Sequence, residues 1–343
     1  VATLGSGDGA EALAVEAGSP DAGSAPASLA SAAAGPPVTV VAKNVHASAA
    51  IAVDLNAIYW VDEIGGEVAR APKRGGLTMT LYEATGTTFS PGSSVLVDGG
   101  DVYWIADSEQ GTVRQSALRR LEKNGGKPTT LASSTTSRLY GLSVDDTSVY
   151  WVSGGVVTRA LKAGGAPSPV ATGLAGADAV AVDDSDAYVT LAGTESKQFA
   201  DGSLVVVPKK GGAAKVRVAG SARAANVLLD AKNVYWQAAS GVMKVGKAGS
   251  APAALATPDA TIDDLALDDA YVYFATHKTE SDGAIARVSK DGGPVEVLAS
   301  GLTPPGGLAV DATTVYWTCL GTEAKKHADA VVLKRDKPSA PSP

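Results

Sequence analysis

The sequence predicts an all-β chain, a seven-bladed β-propeller of four-stranded antiparallel blades, with the ring closed by an N-terminal strand, residues 38–42, that completes the last blade. Three observations carry this. First, an aspartate ends a short apolar run seven times, at Asp54, Asp98, Asp145, Asp183, Asp230, Asp268 and Asp311, roughly every 43 residues, a period found in repeat architectures. Second, a tyrosine follows each anchor at the same offset: Tyr59, Tyr103, Tyr150, Tyr188, Tyr235, Tyr273 and Tyr316. Third, the last copy lacks its final strand, and a segment at the other end of the repeat array supplies it.

Each repeat reads as four strands. The run before the anchor, such as "GLAV" 307–310, is a short apolar strand of the kind buried on both faces. Asp-x-x-x is a tight turn, because an Asp side chain accepts backbone N–H groups two residues on. The second strand carries the tyrosine and then Trp60, Trp104, Trp151, Val189, Trp236, Phe274 or Trp317, which takes up all five tryptophans of the chain. Such residues favour a pleated, packed surface. The third strand is Gly-x-apolar-x-basic, as in "GEVAR" 66–70, "GVVTR" 155–159 and "GAIAR" 283–287. A basic-x-Gly-Gly turn follows in most copies, and glycine pairs supply the positive φ that a hairpin needs. Then comes a fourth strand such as "PVEVLAS" 294–300. Four antiparallel strands repeated seven times make a propeller.

After "AVVLKRD" 330–336 no fourth strand remains, only "KPSAPSP". "VTVVAKNVHASAAIAVD" 38–54 aligns without a gap on "VEVLASGLTPPGGLAVD" 295–311. Residues 38–42 are therefore the expected fourth strand of the seventh blade, and closure removes the free sheet edges that invite aggregation. The domain plan is a tether over 1–37, a propeller over 38–337 and a tail over 338–343. The first 37 residues hold Asp8, Glu11, Glu16 and Asp21 but no basic or aromatic residue, a composition that does not order itself. As a coil it would reach on the order of 33 Å.

"YWVD" 59–62 and "VYWT" 315–318 resemble the repeat of the YWTD propellers, known from lipoprotein-receptor ectodomains and bacterial relatives. The resemblance runs through residues 38–336. It implies a rigid ring with a protein- or ligand-binding role and no chemistry. That family usually has six blades, this chain reads as seven, and only the first copy approaches the full tetrad.

Net charge is −7, which argues against nucleic acid as partner. No run has transmembrane length, and the one cysteine, Cys319, gives no internal disulfide. Val1 is not Met, and the visible start lacks a signal-peptide pattern. A tether before a propeller leads us to expect a bacterial protein exported or anchored at the cell surface, monomeric, without a membrane span and without a cofactor.

In a propeller the first-to-second and third-to-fourth turns share one face, and the second-to-third loops share the other with the blade links. The first set is nearly uniform here. Its acids lie on the inner rim and its bases (Lys73, Arg74, Lys162, Lys209, Lys210, Lys290) on the outer rim, so the face neutralises itself. The seven Asp are expected to cap turns rather than bind a cation. The opposite face varies, and variable loops on a rigid scaffold are where binding resides. The candidate ligand-binding residues are Arg138, Tyr140, Asp178, Arg223, Asn226 and Asp264 at the channel mouth, and Glu195, Lys197, His277, Lys278, Glu323, Lys326 and His327 on the loops of blades four, six and seven. Those three loops look the most divergent. No residue is assigned a catalytic role. The main reading is a non-catalytic ring that binds a protein or small ligand through this face. The alternative is a propeller enzyme of lactonase or lyase type with a divalent metal at the channel mouth. His277 and His327 are its weak metal candidates, with Cys319 and Glu280, Asp282 or Asp329 as further donors by ligand type.

Overall fold

In the computed structural model the described residues are 36–338, except 44, 47, 85–93, 111 and 112. The tether and tail read over 1–37 and 338–343 lie outside them, save residues 36, 37 and 338. Seven four-stranded antiparallel sheets follow one another along the chain. They cover 50–83, 94–134, 139–171, 177–219, 225–256, 261–302, and 305–336 with the closing strand Thr39–Lys43. That strand pairs with Val331–Asp336, Thr39 opposite Lys334 and Lys43 opposite Val331. The ring thus closes as the sequence alignment indicates. Among the described residues the helical structure is two 3-10 turns, Glu195–Lys197 and Glu323–Lys325.

One expectation is corrected. In most blades the second strand, not the first, is the one buried on both faces, although Gly307, Leu308 and Ala309 of the last first strand are buried. Ala57–Asp62 and Thr314–Cys319 are buried at every position, whereas Ser94–Asp98 is half-buried throughout. The first strand lines the central channel, so it has a neighbour on only one side.

The core is divided into seven clusters, and each lies between two adjacent blades. Each joins the repeat tyrosine of one blade to the following aromatic or valine of the next: Tyr59 with Trp104, Tyr103 with Trp151, Tyr150 with Val189, Tyr188 with Trp236, Tyr235 with Phe274, Tyr273 with Trp317, and Tyr316 with Trp60. Successive side chains of a strand point to opposite faces. The Tyr-Trp pair therefore sends the tyrosine toward the next blade and the tryptophan toward the previous one. All twelve of the repeat tyrosines and tryptophans are at most 4% exposed.

The anchor aspartates cap their turns. In every blade but the second, Oδ1 accepts the N–H groups two and three residues on, at 2.7–3.0 Å. Oδ2 accepts the repeat tyrosine hydroxyl at 2.7–3.0 Å in Asp54, Asp145, Asp230, Asp268 and Asp311. Blade two departs: Gly99-Gly100 makes a two-residue hairpin with Asp98 opposite Asp101, and Tyr103 turns to Asp101.

The same carboxylate also ties two blades together. The first base of each third-to-fourth turn reaches the anchor of the preceding blade: Lys73 to Asp311, Lys123 to Asp54, Lys162 to Asp98, Lys209 to Asp145, Lys247 to Asp183, Lys290 to Asp230 and Lys337 to Asp268, at 2.5–3.1 Å. In six of these the ammonium also lies 5.0–5.8 Å from the tyrosine ring centroid, within cation–π range. Bases of the third strand add a second tie. Lys244 donates to the Lys290 carbonyl and Lys334 to the Lys73 carbonyl, at 2.6 and 2.8 Å.

Two tests follow from this architecture. Deleting residues 1–37 should leave the thermal midpoint in place, whereas deleting 1–43 strips an edge of blade seven and should lower it. Equal midpoints for the two truncations would contradict closure. Within one turn, Lys209 bonds Asp145 and the Asp183 carbonyl while Lys210 is exposed. Lys209→Ala should cost about 1.5–3 kcal/mol as a lost charged hydrogen bond, and Lys210→Ala should stay within about 0.5 kcal/mol. Denaturant titration of the two variants checks this.

Candidate functional site

The face opposite the Asp–Lys ring is built from hairpins of unequal height. The second-to-third connections are 63–66, 154–155, 192–202, 239–240, 278–282 and 320–330 in blades one, three, four, five, six and seven. Blade two instead extends its strands, Asp101–Gln110 and Val113–Glu122.

The loops of blades four and seven are not divergent from each other. "GTESKQFAD" 193–201 and "GTEAKKHAD" 321–329 fold alike. In each, the threonine N–H and hydroxyl bond the closing aspartate: Thr194 to Asp201 and Thr322 to Asp329. Each places two residues in the left-handed region, Gln198 and Phe199 in one, Lys326 and His327 in the other. Comparing loops by length and charge hides this identity, which a position-by-position comparison reveals. Glu195, Lys197, Glu323 and Lys326 are exposed on these two loops. They line neither of the cavities described next.

At the channel mouth a cavity of about 630 Å³ gathers Tyr140, Asp178, Asn226 and Asp264, with Asp263 beside them. Its remaining wall is mostly Ala, Val, Leu and Gly. The positions arise from β-bulges. Five first strands slip register against their second strands, between Tyr140 and Leu142, Ala177 and Ala179, Ala225 and Val227, Ile262 and Asp264, and Pro305 and Leu308. A bulge re-aims side chains, and here it turns polar residues that interrupt the apolar run toward the mouth. Asp264 accepts N–H bonds from Leu308 and Leu265, both 2.8 Å. Asn226 donates to Gln237 at 3.1 Å, and Gln237 to the Ile262 carbonyl at 2.9 Å.

Burial dominates the acids of this mouth. It raises the Asp178 carboxyl against the Asn226 N–H. It brings Asp263 up to about 6 despite His277, and Asp264 up to about 7 despite its two N–H donors, with Asp263 adding repulsion. Arg138 turns the other way. It bonds the buried Asp107 at 2.6 Å, beside Arg114, and covers the Tyr140 ring.

A second cavity, about 600 Å³, opens between blades five and six and is lined by Arg223 and Lys278. Sequence reasoning placed Lys278 on this face and Arg223 at the channel mouth, but Arg223 lines this outer cavity instead, and Gln237, Asp259 and Phe199 were missed. Their signal is positional only: they adjoin a short hairpin between taller ones.

His277 Nδ1 pairs with Asp263 at 2.8 Å, His327 Nδ1 with the Leu320 carbonyl at 2.8 Å. Cys319 is buried, and burial pushes its thiol up to about 12. Among the described residues no three His, Cys, Asp or Glu side chains gather as a metal set. No helix among them is long and apolar enough to cross a membrane.

Burial opposes the low pKa of Asp54, Asp268 and Asp311, but the next blade's lysine, backbone N–H groups and the tyrosine hydroxyl bring each from 3.8 down to about 2. Asp145, Asp183 and Asp230 are lowered likewise. Their contribution is complete above pH 3.8 and lost as pH falls through about 2. Asp263 and Asp264 work in reverse: the folded state keeps protons that the unfolded chain has shed, so stability falls between pH 3.8 and about 7. Denaturant midpoints should therefore rise from pH 2 to pH 4 and decline toward pH 7. Asp264→Asn should flatten the decline and leave the acid limb. A profile flat above pH 4 in the parent protein would refute the assignment.

The fold is similar to several solved structures. A chain of the mitotic checkpoint complex aligns with 12% identity over 95% of this chain and 98% of that one, TM-score 0.62. BamB from Moraxella catarrhalis aligns with 13% identity over 89% and 92%, TM-score 0.50. A prolyl endopeptidase aligns with 11% identity over 88% of this chain but 51% of its own length, TM-score 0.58. No protein-family profile matches the chain, and no curated protein matches it. At these identities the likeness concerns the fold: the chain is a seven-bladed β-propeller.

Proposed function

We propose that the protein is a non-catalytic binding ring that recognises a protein or small ligand through its second-to-third hairpins and blade links. The observation that carries this reading is where backbone strain is kept. Among the described residues the non-glycine positions with positive φ are His46, Gln198, Phe199, Arg223, Asn226, Lys326 and His327. All seven belong to this face. On the opposite face positive φ is taken by glycine, as in the pairs Gly75-Gly76 and Gly211-Gly212. Left-handed backbone costs a non-glycine residue about 1–2 kcal/mol. A scaffold turn avoids that cost with glycine, whereas a recognition surface needs the side chain. Strained residues cluster at ligand-binding sites.

Several features agree with the reading. The Tyr-Trp repeat resembles the YWTD propellers, which bind proteins or ligands. The similarly folded chain of the mitotic checkpoint complex belongs to an assembly. The acid-only composition of 1–37 suits a spacer that displays a monomeric ring outside a bacterial cell.

The test is loop exchange. Replacing 193–201, 279–281 and 321–329 by Gly-Gly, as in the blade-three turn, should abolish partner capture at an unchanged thermal midpoint. Unchanged capture would move the site to the opposite face or the N-terminal segment.

A further inference from the structure

Blade five has a two-residue hairpin, 239–240, between the taller loops 192–202 and 278–282. The step leaves the cavity of about 600 Å³ between blades five and six, a volume usual for small-molecule sites. Arg223 lines it. The guanidinium lies 4.0 Å from the centroid of the Phe199 ring. Among the described residues no carboxylate pairs with it. Both residues of the stack are in the left-handed region, φ 54 and φ 64, where bulky residues are uncommon. Backbone bonds hold them: the Arg223 N–H to the Ala192 carbonyl at 3.0 Å, the Phe199 N–H to the Thr194 carbonyl at 2.8 Å. The stack fixes the guanidinium plane and leaves its edge donors free, so little freedom is lost on binding.

Lys278 stands on the same rim and pairs with Asp259 at 2.6 Å, although Asp259 is 92% exposed. Two cations face one solvated anion in a chain whose net charge is −7. Gln237 is held at both ends of its amide, accepting from Asn226 and donating to the Ile262 carbonyl. It joins blade five to blade six and fixes the wall. Ala239, Pro258 and Ile262 supply apolar lining.

We propose that this cavity binds a small organic carboxylate, its oxygens taken by the Arg223 guanidinium and its apolar part laid against Ala239, Pro258 and Ile262. A planar carboxylate matches the guanidinium fork, whereas the second charge of a phosphate would meet Asp259. The proposal rests on the reading of this face as the recognition face and names its ligand class.

Calorimetry on the full chain tests it with three probes: 3-phenylpropionate, its neutral amide and inorganic phosphate. The acid should bind, and the amide and phosphate should bind more weakly. Arg223→Gln should weaken the acid about tenfold or more, the loss of one charged hydrogen-bonding partner. Arg74→Gln, exposed on the opposite face, should leave it unchanged. Phe199→Leu, which removes the stack and keeps the charge, should also weaken it, and this variant serves if Arg223→Gln fails to fold. No binding of the acid, equal binding of acid and amide, tighter binding of phosphate, or unchanged affinity in Arg223→Gln overturns the proposal. A parallel titration with N-acetylglutamate amide identifies the source: binding points to an acidic protein side chain, no binding to a free small acid, and either result upholds the carboxylate class. If loop exchange abolishes capture while Arg223→Gln leaves acid affinity intact, the cavity assignment fails and the face assignment stands.

Discussion

Everything in this ring depends on the contact between an anchor aspartate and the lysine of the following blade. One carboxylate has three tasks. Oδ1 holds the turn through two backbone N–H groups, and Oδ2 takes the tyrosine hydroxyl and the neighbour's ammonium. An asparagine could not do the same, because its second atom would be a donor facing donors. The lysines in these pairs are 8–17% exposed. A charge so placed is tolerated only with its partner present, and removing one member leaves the other uncompensated. The seven contacts form a closed cycle, since Lys73 of blade one reaches Asp311 of blade seven. The closing strand completes the same junction through backbone pairing.

This cycle explains why the two faces have different histories written in them. On the Asp–Lys face each turn has the same neighbour relation, so each needs the same residues. Once that face fixes the blades, the hairpins on the other face are free to differ in length and charge. The bulges make use of this freedom. They sit at the channel end of the first strands, where a slip in register changes what lines the mouth without disturbing the Tyr-Trp core.

The fold was legible because its rules are repeated sevenfold. The anchors, the tyrosines, the glycine pairs and the exchanged fourth strand could all be read by offset. The sequence also placed acids and bases on one face and expected them to balance. It did not show which lysine meets which aspartate, because Lys73 and Asp311 are brought together only by closure of the ring. The channel-mouth residues Asp178, Asn226 and Asp264 were legible as polar residues of the blade links. Phe199 was not, because its role depends on a left-handed backbone that places its ring beneath Arg223. Nor was the first strand's half-burial, since an apolar run looks the same whether it faces a core or a narrow channel.

The two cavities of the variable face differ in their ionisable lining, Arg223, Lys278 and Asp259 in one and three aspartates in the other, and share the strand Thr261–Leu267 as a wall. Ile262 lines one, Asp263 and Asp264 the other. Among the described residues the channel cavity is lined by three aspartates and no lysine or arginine. Those acids lack a counter-charge apart from His277, which is why burial raises them. With Asp263 brought up to about 6, Asp264 to about 7 and Asp178 raised as well, these acids keep protons toward neutral pH, whereas the outer cavity presents Arg223, which no carboxylate pairs among the described residues. The strained Arg223 backbone fits the proposed carboxylate site: at this junction the Phe199 ring holds the guanidinium plane beside the cavity.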